Sequence, residues 1–240
     1  MNSFVYALVA ALANVAGGLA VARGAKLGLR FITGCLAFSA GFMLAVAILA
    51  MLPAAFERSG PAAAGYVLLG YLLVHLSQHT LIPHFHFGEE THHISRATGV
   101  SALIGLLLHT FFDGVAIASA FLVSPRLGLL MFAAIFLHKL PEGVAISSIQ
   151  LAGGLGRASA VGSAALLGAA TVAGVLLTDV VGLLTLHGLA LAAGVTLYVG
   201  ASNLVPEVQQ RHGAGLSTMF FVGAGMYFVG LKVMEIVGLH

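Results

Sequence analysis

Two stretches of this chain share one chemical pattern. HTFFDGVAIAS runs from His109 to Ser119, and HKLPEGVAISS from His138 to Ser148. Both read His-x-x-x-acid-Gly-Val-Ala-Ile-x-Ser, 29 residues apart. Both lie inside long apolar segments, where an acidic side chain costs about 2.5–3.5 kcal/mol on insertion scales. A carboxylate held there at that cost needs a task. On a helix, residues four apart are neighbours on one face. His109 and Asp113 therefore point to one place, and His138 and Glu142 to another. Two such helices facing each other would gather two imidazoles and two carboxylates, a donor set suited to a divalent first-row metal such as zinc or iron. The bland alternative is a pair of buried ion pairs that fix helix packing. Against it, the spacing occurs twice, neither copy has an arginine partner, and apolar residues would pack there at less cost.

The elements that must position these residues follow from composition. Of 240 residues, 60% are hydrophobic and 8% charged. Mean hydropathy is +1.06. No soluble domain hides that much apolar surface, so the chain reads as an integral membrane protein. A net charge of +2 without a basic patch gives no sign of a nucleic-acid partner. The single cysteine, Cys35, excludes an intrachain disulfide and a thiolate cluster. The apolar N-terminus lacks a basic flank and reads as a retained first helix.

Runs of about 20 apolar residues count as spans. Eight are predicted: Phe4–Ala22, Phe31–Leu52, Ala62–Ile82, Gly99–Val123, Leu127–Leu151, Ala158–Leu177, Leu183–Val205 and Leu216–Gly238. Thr178, Asp179 and Gly182 form the only break between the sixth and seventh. Strand-type alternation is absent, so the expected fold is an all-α polytopic membrane protein, a single transmembrane domain over residues 1–240. With the N-terminus outside, inner loops hold Arg23, Lys26, Arg30, Arg96, Arg157 and Arg211, and outer loops Arg58 and Arg126. That asymmetry predicts both termini outside. A second echo pairs Ala40–Val46 before Pro53 with Ala193–Val199 before Pro206, Gly to Pro being 12 residues in each. The two stretches lie in spans two and seven, which cross in opposite directions. This predicts an inverted repeat of helices 1–3 and 6–8 around a central helix 4/5 pair.

One connection is polar: PHFHFGEETHHISR, Pro83–Arg96, within a His-rich stretch expected to face the cytoplasm over about 83–97. His84, His86, His92 and His93 there are candidate metal contacts, because imidazole is the commonest metal ligand. His75 and His79 precede them at i,i+4 spacing in the third span and could lead metal between site and loop. Met43 offers a soft thioether, although methionine is more often core filler. Glu207 follows Pro206 and is a candidate entry or exit acid; Glu57, near Pro53, reads as a capping or solvated residue. Pro141 removes an N–H and frees the Leu137 carbonyl one turn back, for a bond, an ion or a simple kink. Gly114 and Gly143 follow the two acids and suit close helix approach. His187, His212, His240, Glu235 and Lys232 read as interfacial, Lys232 by snorkelling.

HTFFDG and HKLPEG together resemble the fourth- and fifth-helix signatures of the ZIP (zinc/iron permease-like) family. Eight spans, outward termini, the His-rich loop and Asn-Leu-Val-Pro-Glu at Asn203–Glu207 extend the resemblance over nearly the whole chain. It implies a transporter moving divalent metal toward the cytoplasm by alternating access of a helix bundle against a scaffold, as a homodimer. The metal would lie between helices four and five, on His109, Asp113, His138 and Glu142. Three positions depart from the family pattern. Thr110 stands where many relatives have Asn, Phe112 where many have Pro, and Lys139 where many have an acid or amide. In relatives holding two adjacent metals, that acid or amide helps bind the second ion. Lys139 lies three residues before Glu142 and can reach it or Asp113. A cation there would stand in for the second metal, predicting one ion per site; the alternative is a lysine snorkelling to an interface.

The expected function is therefore transport of a divalent transition metal across a cell (inner or plasma) membrane. Zinc comes first, with iron, manganese or cadmium as further substrates. No enzymatic step is expected. The rivals are a membrane di-iron oxidase or hydroxylase built on His75-x-x-x-His79, His84-x-His86 and His92-His93, and a metal-sensing or structural membrane protein without flux.

Overall fold

The computed structural model describes residues 3–24, 28–80, 96–209 and 214–238, and no strand occurs among them. Among these described residues eight helices follow one another. The first is α1 (Ser3–Ala22). The second, α2, runs Leu29–Val46, continues through a π turn at Ala47–Met51 and ends as Leu52–Ser59. After α3 (Ala62–Thr80) come the two motif helices, α4 (Arg96–Val123) and α5 (Pro125–Ala152). Next is α6 (Arg157–Val180). In α7, Gly182–Tyr198 leads into a π turn at Val199–Leu204 and then Val205–Gln209. The last is α8 (Ala214–Ile236). Seven are long and apolar enough to cross a membrane, and α3 contributes a shorter apolar stretch, Ala62–Gln78. Helices are what apolar segments must form in lipid, since each backbone group then finds its partner within its own segment. The protein is an all-α polytopic membrane protein, as its sequence predicts.

The inverted repeat is written into the helix crossings. Gly17 of α1 rests on the Leu140 carbonyl of α5, and Gly143 of α5 rests on the Asn14 carbonyl of α1; a Cβ at either would overlap backbone. The second half repeats this: Gly174 of α6 meets the Phe111 carbonyl of α4, and Gly114 of α4 meets the Thr171 carbonyl. Likewise Gly41 and Gly223 exchange contacts with the Phe220 and Phe38 carbonyls between α2 and α8. Gly70 and Gly194 do the same with the Leu191 and Val67 carbonyls between α3 and α7. So α1 on α5 matches α6 on α4, and α2 on α8 matches α7 on α3. The absence of a side chain lets backbones touch where lipid supplies no hydrophobic drive.

Three boundaries differ from expectation. Pro53 and Pro206 do not end their helices. In each case a π turn comes first, and the amide that closes it reaches five residues back: Leu52 N–H to the Ala47 carbonyl, Val205 N–H to the Gly200 carbonyl. The proline then falls in the opening turn of the following α segment, where no N–H is needed. The predicted break at Thr178 and Asp179 is also displaced. Helix α6 runs through both to Val180, and the Thr178 hydroxyl donates back to the Gly174 carbonyl at 2.8 Å. The turn is made at Val181, and the Thr185 hydroxyl then donates to the Thr178 carbonyl at 2.7 Å. The expected end of the third span at Ile82 lies outside the described residues.

Candidate metal site

The two motifs meet where α4 and α5 cross. On α4, His109 and Asp113 share a face, with His109 Nε2 3.4 Å from Asp113 Oδ2. On α5, His138 Nδ1 donates to the Ala134 carbonyl one turn back, at 3.1 Å. Its Nε2 points across the helix pair to the same Asp113 Oδ2, at 3.3 Å. The donor atoms of His109, Asp113 and His138 all lie within 4.8 Å of one another, a separation one ion can bridge. All three residues are buried. Holding the imidazole by its other nitrogen is how proteins orient a histidine toward a metal.

Glu142 does not join this group. Its Oε1 accepts the Thr110 hydroxyl at 2.6 Å and its Oε2 the Lys139 ammonium, also at 2.6 Å. The same ammonium donates to Asp113 Oδ2 at 2.6 Å. Lys139 is 0% exposed, so it does not snorkel; it ties the two carboxylates together. A lone ammonium in hydrocarbon would be costly, and two carboxylates in direct contact make it tenable.

A cavity of about 60 Å³ adjoins the site, lined by His109, His138 and Glu142 and reaching Leu36, Leu106, Gln78 and Asn203. Leu36 and Leu106 lie in the N-terminal halves of α2 and α4, and Gln78 and Asn203 toward the C-terminal ends of α3 and α7. In antiparallel helices these positions share one side of the membrane domain, the side on which α3 ends and α4 begins. The other side is fastened. There the Arg58 guanidinium donates to the Thr185 carbonyl at 2.9 Å, His187 Nδ1 is 3.0 Å from the Ser59 hydroxyl, and Tyr66 stacks on His187 at 4.0 Å.

The remaining candidates are dispersed. Met43 is fully buried in the apolar core. His75 packs edge-on to Tyr198, ring centres 5.7 Å apart. Lys232 is exposed and pairs with Glu235 at 3.0 Å, in keeping with an interfacial position. His84, His86, His92 and His93, and the side chains of His79 and Glu207, lie outside the described residues. Sequence reasoning missed Gln78 as a cavity residue and treated His187 as merely interfacial. The polar run His75, Ser77, Gln78 and His79 in an otherwise apolar helix was the available signal for the first.

The family model described as ZIP zinc transporter matches residues 84–232, a stretch that contains both motifs and more than half of the chain. The chain belongs to the ZIP zinc transporter family. Among curated proteins it is similar to Zinc transporter ZIP13 of Homo sapiens, 41% identical over 70 residues, which is 28% of this chain and 19% of that protein. Zinc transporter ZIP13 of Bos taurus is 41% identical over 70 residues, covering 28% and 16%. That of Pongo abelii is 39% identical over 66 residues, covering 28% and 20%. The matched stretch spans a fifth or less of these ZIP relatives' own length. ZIP membership makes the protein one of a transporter family rather than an enzyme family.

Proposed function

We propose that this protein carries divalent transition-metal ions, zinc foremost, across a cell (inner or plasma) membrane toward the cytoplasm. The observation that carries the proposal is the convergence of His109 Nε2 and His138 Nε2, from two different helices, on one oxygen of Asp113 in the buried centre of the helix pair. His109, Asp113 and His138 replace the ion's water shell, and Glu142 is the further acid of the site. Iron, manganese and cadmium are further substrates of the same donor set. Alternating access is supported by the asymmetry of the two sides, with a cavity toward the end of α3 and the start of α4 and a fastened opposite end. The basic residues favour the cavity side as the cytoplasmic one and both termini as external. The His-rich segment would then meet metal on the inner side, with His75, His79 and Glu207 along the exit. All of residues 1–240 serve as one transporter domain, working as a homodimer as the family resemblance implies.

Lys139 stands in for a second metal. Its ammonium touches both carboxylates, the place a second cation would take. With the ion gone, it still offsets the two acids, so the empty carrier can return. The deciding experiment is uptake by the purified protein in liposomes, with zinc, iron, manganese and cadmium in competition. Zinc uptake that saturates and is competed by the other ions is expected. Bound iron with an oxidase activity and no flux would favour the hydroxylase rival.

A further inference from the structure

Thr110 is a fully buried threonine in the middle of α4. Such a hydroxyl ordinarily returns its hydrogen bond to the carbonyl four residues back. Thr171 and Thr178 on α6 do this, donating to Leu167 and Gly174. Thr110 instead donates across to α5, to Glu142 Oε1 at 2.6 Å. That length lies in the short range of hydroxyl-to-carboxylate bonds, about 2.5–2.7 Å, which are about twice as strong as neutral ones. With Lys139 on Oε2, both oxygens of Glu142 are held, and Glu142 is not among the three residues whose donor atoms cluster. Glu142 lines the adjoining cavity together with the two histidines, whereas Asp113 does not.

We propose that Thr110 is a positioning residue: it holds Glu142 back from the three-residue group, so that three protein side chains carry the ion and Glu142 meets it on the way to the cavity. This rests on the transport reading above and adds a cause for release. An ion held by four protein ligands leaves slowly, and a carrier needs a site weak enough to empty. Without the hydroxyl, Oε1 is a buried acceptor lacking its donor and is free to turn to the metal.

The test is zinc uptake and zinc retention by the full-length protein in liposomes. Thr110→Val, which keeps the shape and removes the donor, should lower KM and Vmax together. Each should fall about tenfold, the scale of one hydrogen bond to a charged group, and more zinc should be retained per protein after desalting. Thr110→Ser should restore wild-type values. Adding Glu142→Gln to Thr110→Val should abolish the extra retention, because the added ligand is gone. If Thr110→Val does not fold, Thr110→Ala removes the same hydroxyl and carries the same expectation. A Thr110→Val protein with unchanged KM and Vmax overturns the proposal, as does a raised KM, which would make Thr110 a ligand itself. A fall in Vmax at constant KM would reduce it to packing and also overturn it. Wild-type protein that takes up no metal would instead remove the transport reading on which this stands.

Discussion

The α4 and α5 copies of the His-x-x-x-acid motif are alike in sequence and unlike in what their acids touch. Asp113 of α4 gathers both imidazoles on one oxygen. Glu142 of α5 gathers a hydroxyl and an ammonium instead. The difference comes from the residue after each histidine. Thr110 leaves α4 to bond the acid of α5, and Lys139 leaves α5 to bond the acid of α4 while also holding its own. Repetition of a motif therefore supplied two equivalent frames, and one neighbouring position in each assigned them different work. The frames themselves remain equivalent: Gly114 and Gly143, each next to its acid, make the same close crossing with α6 and α1.

The sharpest way to break this comparison is to remove the acids one at a time. Asp113→Ala deletes the oxygen on which both histidines and the lysine converge. Uptake should fall by more than the about 10–100-fold typical of losing an outer hydrogen-bond partner of a metal ligand. Glu142→Ala should also nearly abolish flux, but the protein should retain more bound zinc than Asp113→Ala, because the three-residue group survives. Equal retention by the two variants would erase the distinction drawn between the motifs. Either change leaves Lys139 with one carboxylate, and breaking a buried pair costs about 3–5 kcal/mol, so helix content should be measured alongside.

Substituting Lys139 probes the same contrast from the cation's side. Lys139→Asp should raise bound metal from one ion to two per site or alter selectivity. Lys139→Ala should make the protein's thermal stability depend on added zinc, because two buried carboxylates then lack a counter-charge. Metal counting and melting curves check both; unchanged stoichiometry, selectivity and rate in both variants would end the stand-in idea.

The smallest effect concerns the equivalent frames. Gly114→Ala and Gly143→Ala each place a methyl against backbone, and overpacking of this kind typically costs about 1–3 kcal/mol. The two losses should agree closely in denaturation measurements, and a large disparity would weaken the reading of α4 and α5 as matched partners.

Much of this was legible in the residues. Long apolar runs mark eight helices because lipid leaves the backbone no other solution. The stretches Ala40–Val46 and Ala193–Val199, each followed by a proline, exposed the inverted repeat because both halves must bury the same glycine crossing. What escaped was set by contacts between distant segments. Proline removes a donor, so Pro53 and Pro206 read as helix ends; only the π turns before them show how the helix continues. Lys139 could be placed within reach of two carboxylates by spacing, but not in contact with both. Thr110 read only as a departure from the Asn of many relatives, since nothing local says that a mid-helix hydroxyl will forgo its own backbone for an acid on another helix. Helix α7 brings Asn203 beside Gln78 of α3 at the cavity, a juxtaposition no local pattern announces.

The fastening at the end away from the cavity bears on time rather than affinity. Arg58, Ser59, Tyr66, Thr185, Leu186 and His187 join α2 and α3 to the start of α7 through three hydrogen bonds and a ring stack. For a carrier that alternates, these contacts part and re-form together once per cycle, whichever ion is aboard. Their combined strength then sets a dwell that every cargo shares, on the microsecond-to-second scale of such rearrangements. Loosening the clasp would shorten that dwell for every cargo alike, leaving any order of preference among metals to the helix pair at the centre.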